Sequence, residues 1–280
     1  MPNVKILTDS LADIPPQVAQ ALDITSVPCI VRFGETEYRD RVDIFPTEFY
    51  QRLSTAATLP TTSQPATGVF EDIYRRLAQE SDQILAIHTI SSLSGVFNAS
   101  RLAAENIPNV HIELIDSQQV TMSLGWLVIL AARAAQQGAR LPEIRAVVEA
   151  AMPRAHVLGM LNTLEYAQRG GRLGKGAALV GTLLNVKPLI SIVNGEVVPV
   201  ENVRTQKRAL ERLIEIVLGS GPIQELSVIH SAAPELAEKV KQQLAATFPE
   251  DQILMSETGP VLGTHVGPGA VGIAWLTGRY

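Results

Sequence analysis

Residues 83–106 read QILAIHTISSLSGVFNASRLAAEN, and they decide the fold class. Gln83 to Ile90 is a short run rich in β-branched and apolar residues, which reads as a strand. Ser91 to Gly95 is a turn made of hydroxyls and glycine. Val96 to Asn106 reads as a helix. A second strand, VHIELIDS from Val110 to Ser117, follows after a few residues. Strand, helix and strand at that spacing form a βαβ unit, and such units imply a parallel sheet.

The same alternation extends outward in both directions. VKILTDS (Val4 to Ser10) reads as a buried strand and PPQVAQAL as a short helix with proline near its start. ITSVPCIVRF reads as another strand, PTEFYQRLS as a helix, and PATGVFEDIYRRLAQES as an amphipathic helix opening at Pro65. On the other side, the apolar stretch around Gly125 to Gln137 predicts a long core helix, and LPEIRAVVEAAMPRA a further one. Beyond residue 155 the pattern changes. AHVLGMLNT is a strand, AALVGTLLNV reads as an apolar helix, and two β-rich runs flank Asn194-Gly195, a strong hairpin signal. A helix over Thr205 to Leu218, the strand LSVIHS, the helix PELAEKVKQQLAATF and the strand QILMSETG follow, then a glycine-rich close. The expected architecture is α/β. An N-terminal domain, residues 1–153, holds a mainly parallel sheet flanked by helices. A C-terminal α+β domain, residues 154–280, holds an antiparallel or mixed sheet.

Composition narrows the function. The chain has 280 residues, 18% charged, and a net charge of −5. That balance argues against a nucleic-acid-wrapping protein or one lying on an anionic membrane. Cys29 is the single cysteine and sits in an apolar run, so a buried, inert thiol and a reducing, cytoplasmic setting are expected. No signal-peptide pattern opens the chain, and its longest apolar run is too short to span a bilayer.

Four hydroxyl-rich words fall at strand ends or helix starts: TDS at Thr8–Ser10, PTTSQPA at Pro60–Ala66, ISSLSG at Ile90–Gly95 and IDSQQVTMSLG at Ile115–Gly125. In a parallel sheet, ligands sit outside the carboxyl ends of the strands. Thr62, Ser63, Ser94 and Gly95 lie just before helices, where hydroxyls cap the first turn or help hold an anion such as a carboxylate. Asp9 and Asp116 allow an alternative, a metal-assisted phosphatase or hydrolase, although aspartates there also make Asx turns. The loop AQRGGRLGKG carries Arg169, Arg172 and Lys175 but matches neither a Walker A loop nor a dinucleotide fingerprint. The histidines are scattered without metal-ligand spacing, and no G-x-S-x-G elbow is present. His265, among the glycines of LGTHVGPGAVG, remains open between a loop histidine and a ligand.

Taken together, LTDS, PTTSQPA, ISSLSGVFNAS, IDSQQVTMSLG, TLEYAQRGGRLG, LLNVKPLI and GPVLGTHVGPGAVG resemble the DegV family of bacterial fatty-acid-binding proteins. They occur in family order from residue 6 to residue 272. Two words depart from the family: Ala66 replaces a final serine, and Val96 replaces a threonine. The resemblance implies two domains with a long-chain fatty acid such as palmitate, stearate or oleate at their junction. It implies Thr62, Ser63, Ser94, Gly95 and His265 as ligands to the carboxylate, with Arg172 steadying the head group. It also implies a non-catalytic role, with no cofactor, in which the protein presents its ligand to a separate fatty acid kinase, with only transient membrane contact and with Arg204 and Lys207 facing the kinase.

Overall fold

The structure is a computed structural model describing residues 4–174 and 186–278. In chain order the elements are β1 (Lys5–Asp9), α1 (Pro16–Ala21), β2 (Ile24–Val27), β3 (Ile30–Phe33), β4 (Thr36–Arg39), α2 (Pro46–Thr55), β5 (Thr61–Ser63), α3 (Thr67–Leu77), β6 (Gln83–His88), α4 (Val96–Ala104), β7 (His111–Asp116), α5 (Thr121–Gln136) and α6 (Leu141–Ala151). Then come β8 (Ala155–Met160), α7 (Glu165–Arg169), β9 (Lys187–Val193), β10 (Glu196–Val203), α8 (Gln206–Leu218), β11 (Ile223–His230), α9 (Pro234–Leu244), β12 (Ile253–Glu257), α10 (Pro260–Val266) and β13 (Val271–Thr277).

The expected α/β architecture is present. A wholly parallel sheet runs β2-β1-β6-β7, and a six-stranded mixed sheet runs β10-β9-β8-β13-β11-β12. In the mixed sheet every pairing is antiparallel except β11 with β12, which α9 connects. The hairpin expected at Asn194-Gly195 joins β9 to β10, and both turn residues take positive φ. The apolar helix expected over 177–186 lies, save for its last residue, outside the described residues. Among the described residues no helix is long and apolar enough to cross a membrane.

Helix α5 lies between the two large sheets. It packs on β1 and β6 on one side and on β8, β11 and β13 on the other. Its residues from Thr121 to Ile129 are all buried, and Trp126 Nε1 donates to the carbonyl of Ala274 at 3.3 Å. A helix apolar on every face belongs where both sides are covered.

Two expectations are corrected. ITSVPCIVRF is not one strand. It breaks at Pro28-Cys29, and β2 joins the parallel sheet while β3 joins a separate sheet of order β4-β3-β5. Proline has no N–H for a ladder, so it marks the point where the chain changes sheets. Helix α3 opens at Thr67, not Pro65, and Thr62 and Ser63 belong instead to β5, where Thr62 pairs with Val31. The glycine-rich close carries two elements that its sequence left unassigned. It holds α10 and then β13, a strand near the middle of the mixed sheet that bridges β8 and β11.

Buried acidic side chains tie α10 to the first half of the chain. Asp13 Oδ1 accepts from the N–H of Gly259 at 2.8 Å and from Arg41 Nη2 at 3.2 Å, and Asp40 Oδ2 accepts from the N–H of Val261 at 3.2 Å. Both carboxylates therefore meet the N–H groups that open the helix, where negative charge is favoured. Burial pushes Asp40 up from 3.8 to about 7, nearby Asp13 adds to the shift, and Arg41 opposes it. Burial also raises Asp13, against Arg41.

Two outcomes are expected. Ile273 is fully buried in β13, so Ile273→Ala should cost about 2–5 kcal/mol in urea unfolding, whereas Val200→Ala on the surface should change stability by less than about 0.5 kcal/mol. Because the folded Asp40 retains its proton up to about pH 7 and the unfolded one releases it near 3.8, its stabilising contribution is full at low pH and is lost as pH rises through that window. The non-ionising Asp40→Asn should therefore gain stability relative to wild type as pH is raised across that range. A constant offset between the two urea midpoints would contradict this.

Candidate functional site

The parallel sheet reverses its winding between β1 and β6, and the crevice outside their carboxyl ends is where α/β sheets place ligands. A cavity of about 180 Å³ opens there, against the roughly 10–15 Å³ that one water needs. Its walls come from the ends of the parallel sheet (Leu11, Thr89, Ile90), the start of α5 (Val120, Thr121), the inner face of the mixed sheet (Val157, Ile190, Ile192, Ile229) and α10 (Val261, Leu262, Val266). The lining is predominantly apolar.

Polar groups from remote segments gather on this cavity. Thr62, Ser63, Ser94, Gly95, Arg172 and His265 all line it. Thr62 Oγ1 and His265 Nε2 lie 2.9 Å apart, although 203 positions separate them in sequence. The antiparallel pairing of β5 with β3 fixes Thr62, and the last turn of α10 carries His265. Burial, with a further push from the positive charge of Arg172, lowers His265 from 6.5 to about 4. Its imidazole is consequently neutral at physiological pH and able to donate one hydrogen bond and accept another.

Arg172 follows the short helix α7. Its guanidinium donates to the carbonyls of Leu93 at 3.3 Å and Gly170 at 2.8 Å, which ties this loop to the turn before α4. Arg169 is spent otherwise, in an ion pair with Glu165 at 2.7 Å. Lys175 lies outside the described residues. Ser94 sits just before α4, and its Oγ accepts weakly from the N–H of Val96 at 3.4 Å. The helix has Gly95 as its N-cap residue, so its first N–H groups are poorly capped.

Sequence reasoning passed over three neighbours of the site. Gln64 lies against Gly95, and a methyl group at Gly95 would sit 2.8 Å from its Cδ. Gly170 packs on His265: an added Cβ would come within 2.3 Å of Nδ1, a distance no real side chain tolerates. Cys29 is buried as expected, and burial pushes its thiol well up, but it also lines the cavity. Gln64 stands inside the quoted word PTTSQPA and Gly170 inside the Gly170-Gly171 pair, so each had a local signal. The contacts themselves cross the fold.

Asp9 and Asp116 stand apart from the cavity. Asp9 is fully buried and accepts from the N–H of Leu11 at 3.1 Å and of Thr89 at 3.0 Å. His88 links Asp9 (through Nδ1, 3.1 Å) to Ser100 (through Nε2, 2.7 Å), and Ser100 Oγ meets Tyr74 Oη at 2.6 Å. The order resembles a catalytic triad, but Asp9, His88 and Ser100 have no exposed surface, so no substrate reaches the serine. This chain braces the ends of β1 and β6. Asp116 is held by Ser91 and by the N–H of Gln118 at 3.0 Å, as in an Asx turn. Among the described residues no group of three or more potential metal ligands gathers anywhere.

Against known proteins, the family pattern described as an uncharacterised protein of the DegV family matches residues 3–278. Protein DegV of Bacillus subtilis is 34% identical over 277 residues, covering 98% of this chain and 99% of its own length. The fatty-acid-binding DegV family protein from Thermus thermophilus superposes with a TM-score of 0.92 at 31% identity, covering 99% of this chain and 100% of its own. A stearic-acid-binding protein from Eubacterium ventriosum superposes with a TM-score of 0.89 at 26% identity, covering 98% of each chain. Sequence words in family order, two sheets enclosing one cavity, and relatives that match along essentially the full length agree: the chain belongs to the DegV family.

Proposed function

We propose that the protein binds a long-chain fatty acid, such as palmitate, stearate or oleate, with its acyl chain in the apolar cavity and its carboxylate at the polar wall. The observation that carries this reading is the asymmetry of the cavity. Its lining is predominantly apolar, and the hydroxyls of Thr62, Ser63 and Ser94, the His265 imidazole and the Arg172 guanidinium gather on it. An acyl chain contributes about 0.8 kcal/mol per buried CH₂, and an ionised head group must be offered donors to offset its desolvation. In this reading Arg172 supplies charge, His265 and the hydroxyls supply directed hydrogen bonds, and the poorly capped start of α4 at Gly95 supplies backbone N–H groups.

The ligand then lies at the junction of two domains that divide after residue 153. The role is that of a carrier without chemistry of its own. It presents the carboxylate to a separate fatty acid kinase subunit, in the cytoplasm and with only transient membrane contact. Support comes from the absence of a Walker A or dinucleotide motif in the sequence and from the fatty-acid-binding relatives. Arg204 and Lys207 are exposed at the start of α8, outside the cavity, and are the residues assigned to the kinase-facing surface.

Organic extraction of the purified protein followed by mass spectrometry should release a long-chain fatty acid in near-stoichiometric amount. Delipidated protein should melt at a higher temperature with added palmitate or oleate, since a ligand bound only by the folded state stabilises it. An empty extract together with an unmoved melting curve would refute the reading. His265→Ala and Ser94→Ala should each weaken fatty-acid binding by about 1.5–3 kcal/mol while the unliganded protein stays folded. Unchanged affinity in both would remove the carboxylate from this wall.

A further inference from the structure

The floor of the cavity contains an irregularity that the head-group residues do not explain. On the inner face of the mixed sheet, Gly159 of β8 pairs directly with Gly272 of β13, and both line the cavity. Glycine inside a strand weakens it, and such a position often marks close approach by a ligand. Paired residues of an antiparallel ladder point to the same face. Around the pair stand Val157 on β8, Leu161 just past its end, Ile190 on β9 and Ile229 on β11, all lining the cavity. The glycines thus leave a bare saddle in an otherwise aliphatic floor.

The space above the saddle is open on one side. A Cβ added at Gly159 would have no atom within 4 Å, whereas one at Gly272 would meet the carbonyl oxygen of Leu158 at 3.2 Å. Backbone crowding therefore accounts in part for glycine at 272 and not at all for glycine at 159. The saddle also has a defined place along the cavity. Leu161, two residues to one side, packs with Ala167, Ala270 and Val266, next to the His265 wall. Val157, two residues to the other side, belongs to the large apolar cluster shared with α5. Gly159 therefore stands on the cavity floor between the cluster beside His265 and the cluster shared with α5.

Building on the fatty-acid reading above, we infer that Gly159 is the specificity-determining residue for acyl-chain length: the missing side chain lets a long tail cross the sheet floor into the deep end of the cavity. A side chain at 159 would stop the tail on the head-group side and leave short acids unaffected. Overpacking a filled site in this way lowers affinity on the order of 10- to 100-fold.

The test compares palmitate and octanoate binding by delipidated wild-type, Gly159→Ala and Gly159→Val proteins, using displacement of a fluorescent fatty acid and calorimetry. Gly159→Val should lose palmitate affinity by that factor, hold octanoate within about twofold, and melt no lower than wild type without ligand. Gly159→Ala should lie between the two. Equal loss of both acids, or an unchanged palmitate-to-octanoate ratio, would overturn the inference and leave the fatty-acid reading standing. If wild type binds neither acid, that reading falls and takes the inference with it. Should Gly159→Val fail to fold, the ratio in Gly159→Ala decides, because its methyl group meets nothing in the structure.

Discussion

The two large sheets are held together by a helix whose first nine residues have no outside. Helix α5 is covered by the parallel sheet on one side and by the mixed sheet on the other. Its leucines, isoleucine, valine and tryptophan bury against both, each side chain contributing about 1.5–3 kcal/mol relative to exposure. The helix thereby fixes the separation and orientation of the two sheets. It also determines where they stop touching. At its N-terminal end, Val120 and Thr121 are the last residues between them, and there the gap widens into the cavity. Thr121 holds φ at +50°, an outlying conformation for a β-branched residue, so some backbone strain is stored at the cavity wall.

The cavity is closed on another side by a second device, the pairing of α10 with the small three-stranded sheet. Buried carboxylates hold the first turn of α10, and the Thr62–His265 contact holds the last. The helix is thus secured at both ends to a part of the chain synthesised long before it. The same burial that secures it sets its electrostatics. A desolvated imidazole beside a guanidinium stays neutral, so of these two side chains Arg172 carries the charge and His265 offers one donor and one acceptor. On the fatty-acid reading proposed above, charge from one residue and orientation from the other select a carboxylate over a neutral polar group.

Much of the architecture could be read from sequence because local rules governed it. The βαβ alternation, the apolar α5 and the Asn194-Gly195 turn each depend on a few neighbouring residues. What escaped reading depended on distant partners. Thr61 to Ser63 looks like loop because three residues make a strand only when β3 is already there to pair with. VGIAWLT has no polar alternation, because β13 is covered on both faces, by the cluster around α5 on one and by α8 and α9 on the other. Preceded by glycines, it carries no local mark of a strand. The site shows the same division. Hydroxyls at strand ends and a histidine among glycines were legible as candidates. The fit of Gly170 against the imidazole, and the buried Asp13 and Asp40 behind α10, come from packing that a linear pattern does not encode.

The position of β13 has a consequence for how the chain reaches its native state during synthesis. Until β13 pairs, the ribbon of β10, β9 and β8 and the ribbon of β11 and β12 have no ladder between them, and each has a raw edge. Exposed edges of that kind recruit other strands, so a nascent chain at this stage is vulnerable to mispairing. One short strand joins both ribbons at once, seats Ala274 against Trp126, and completes the floor of the cavity.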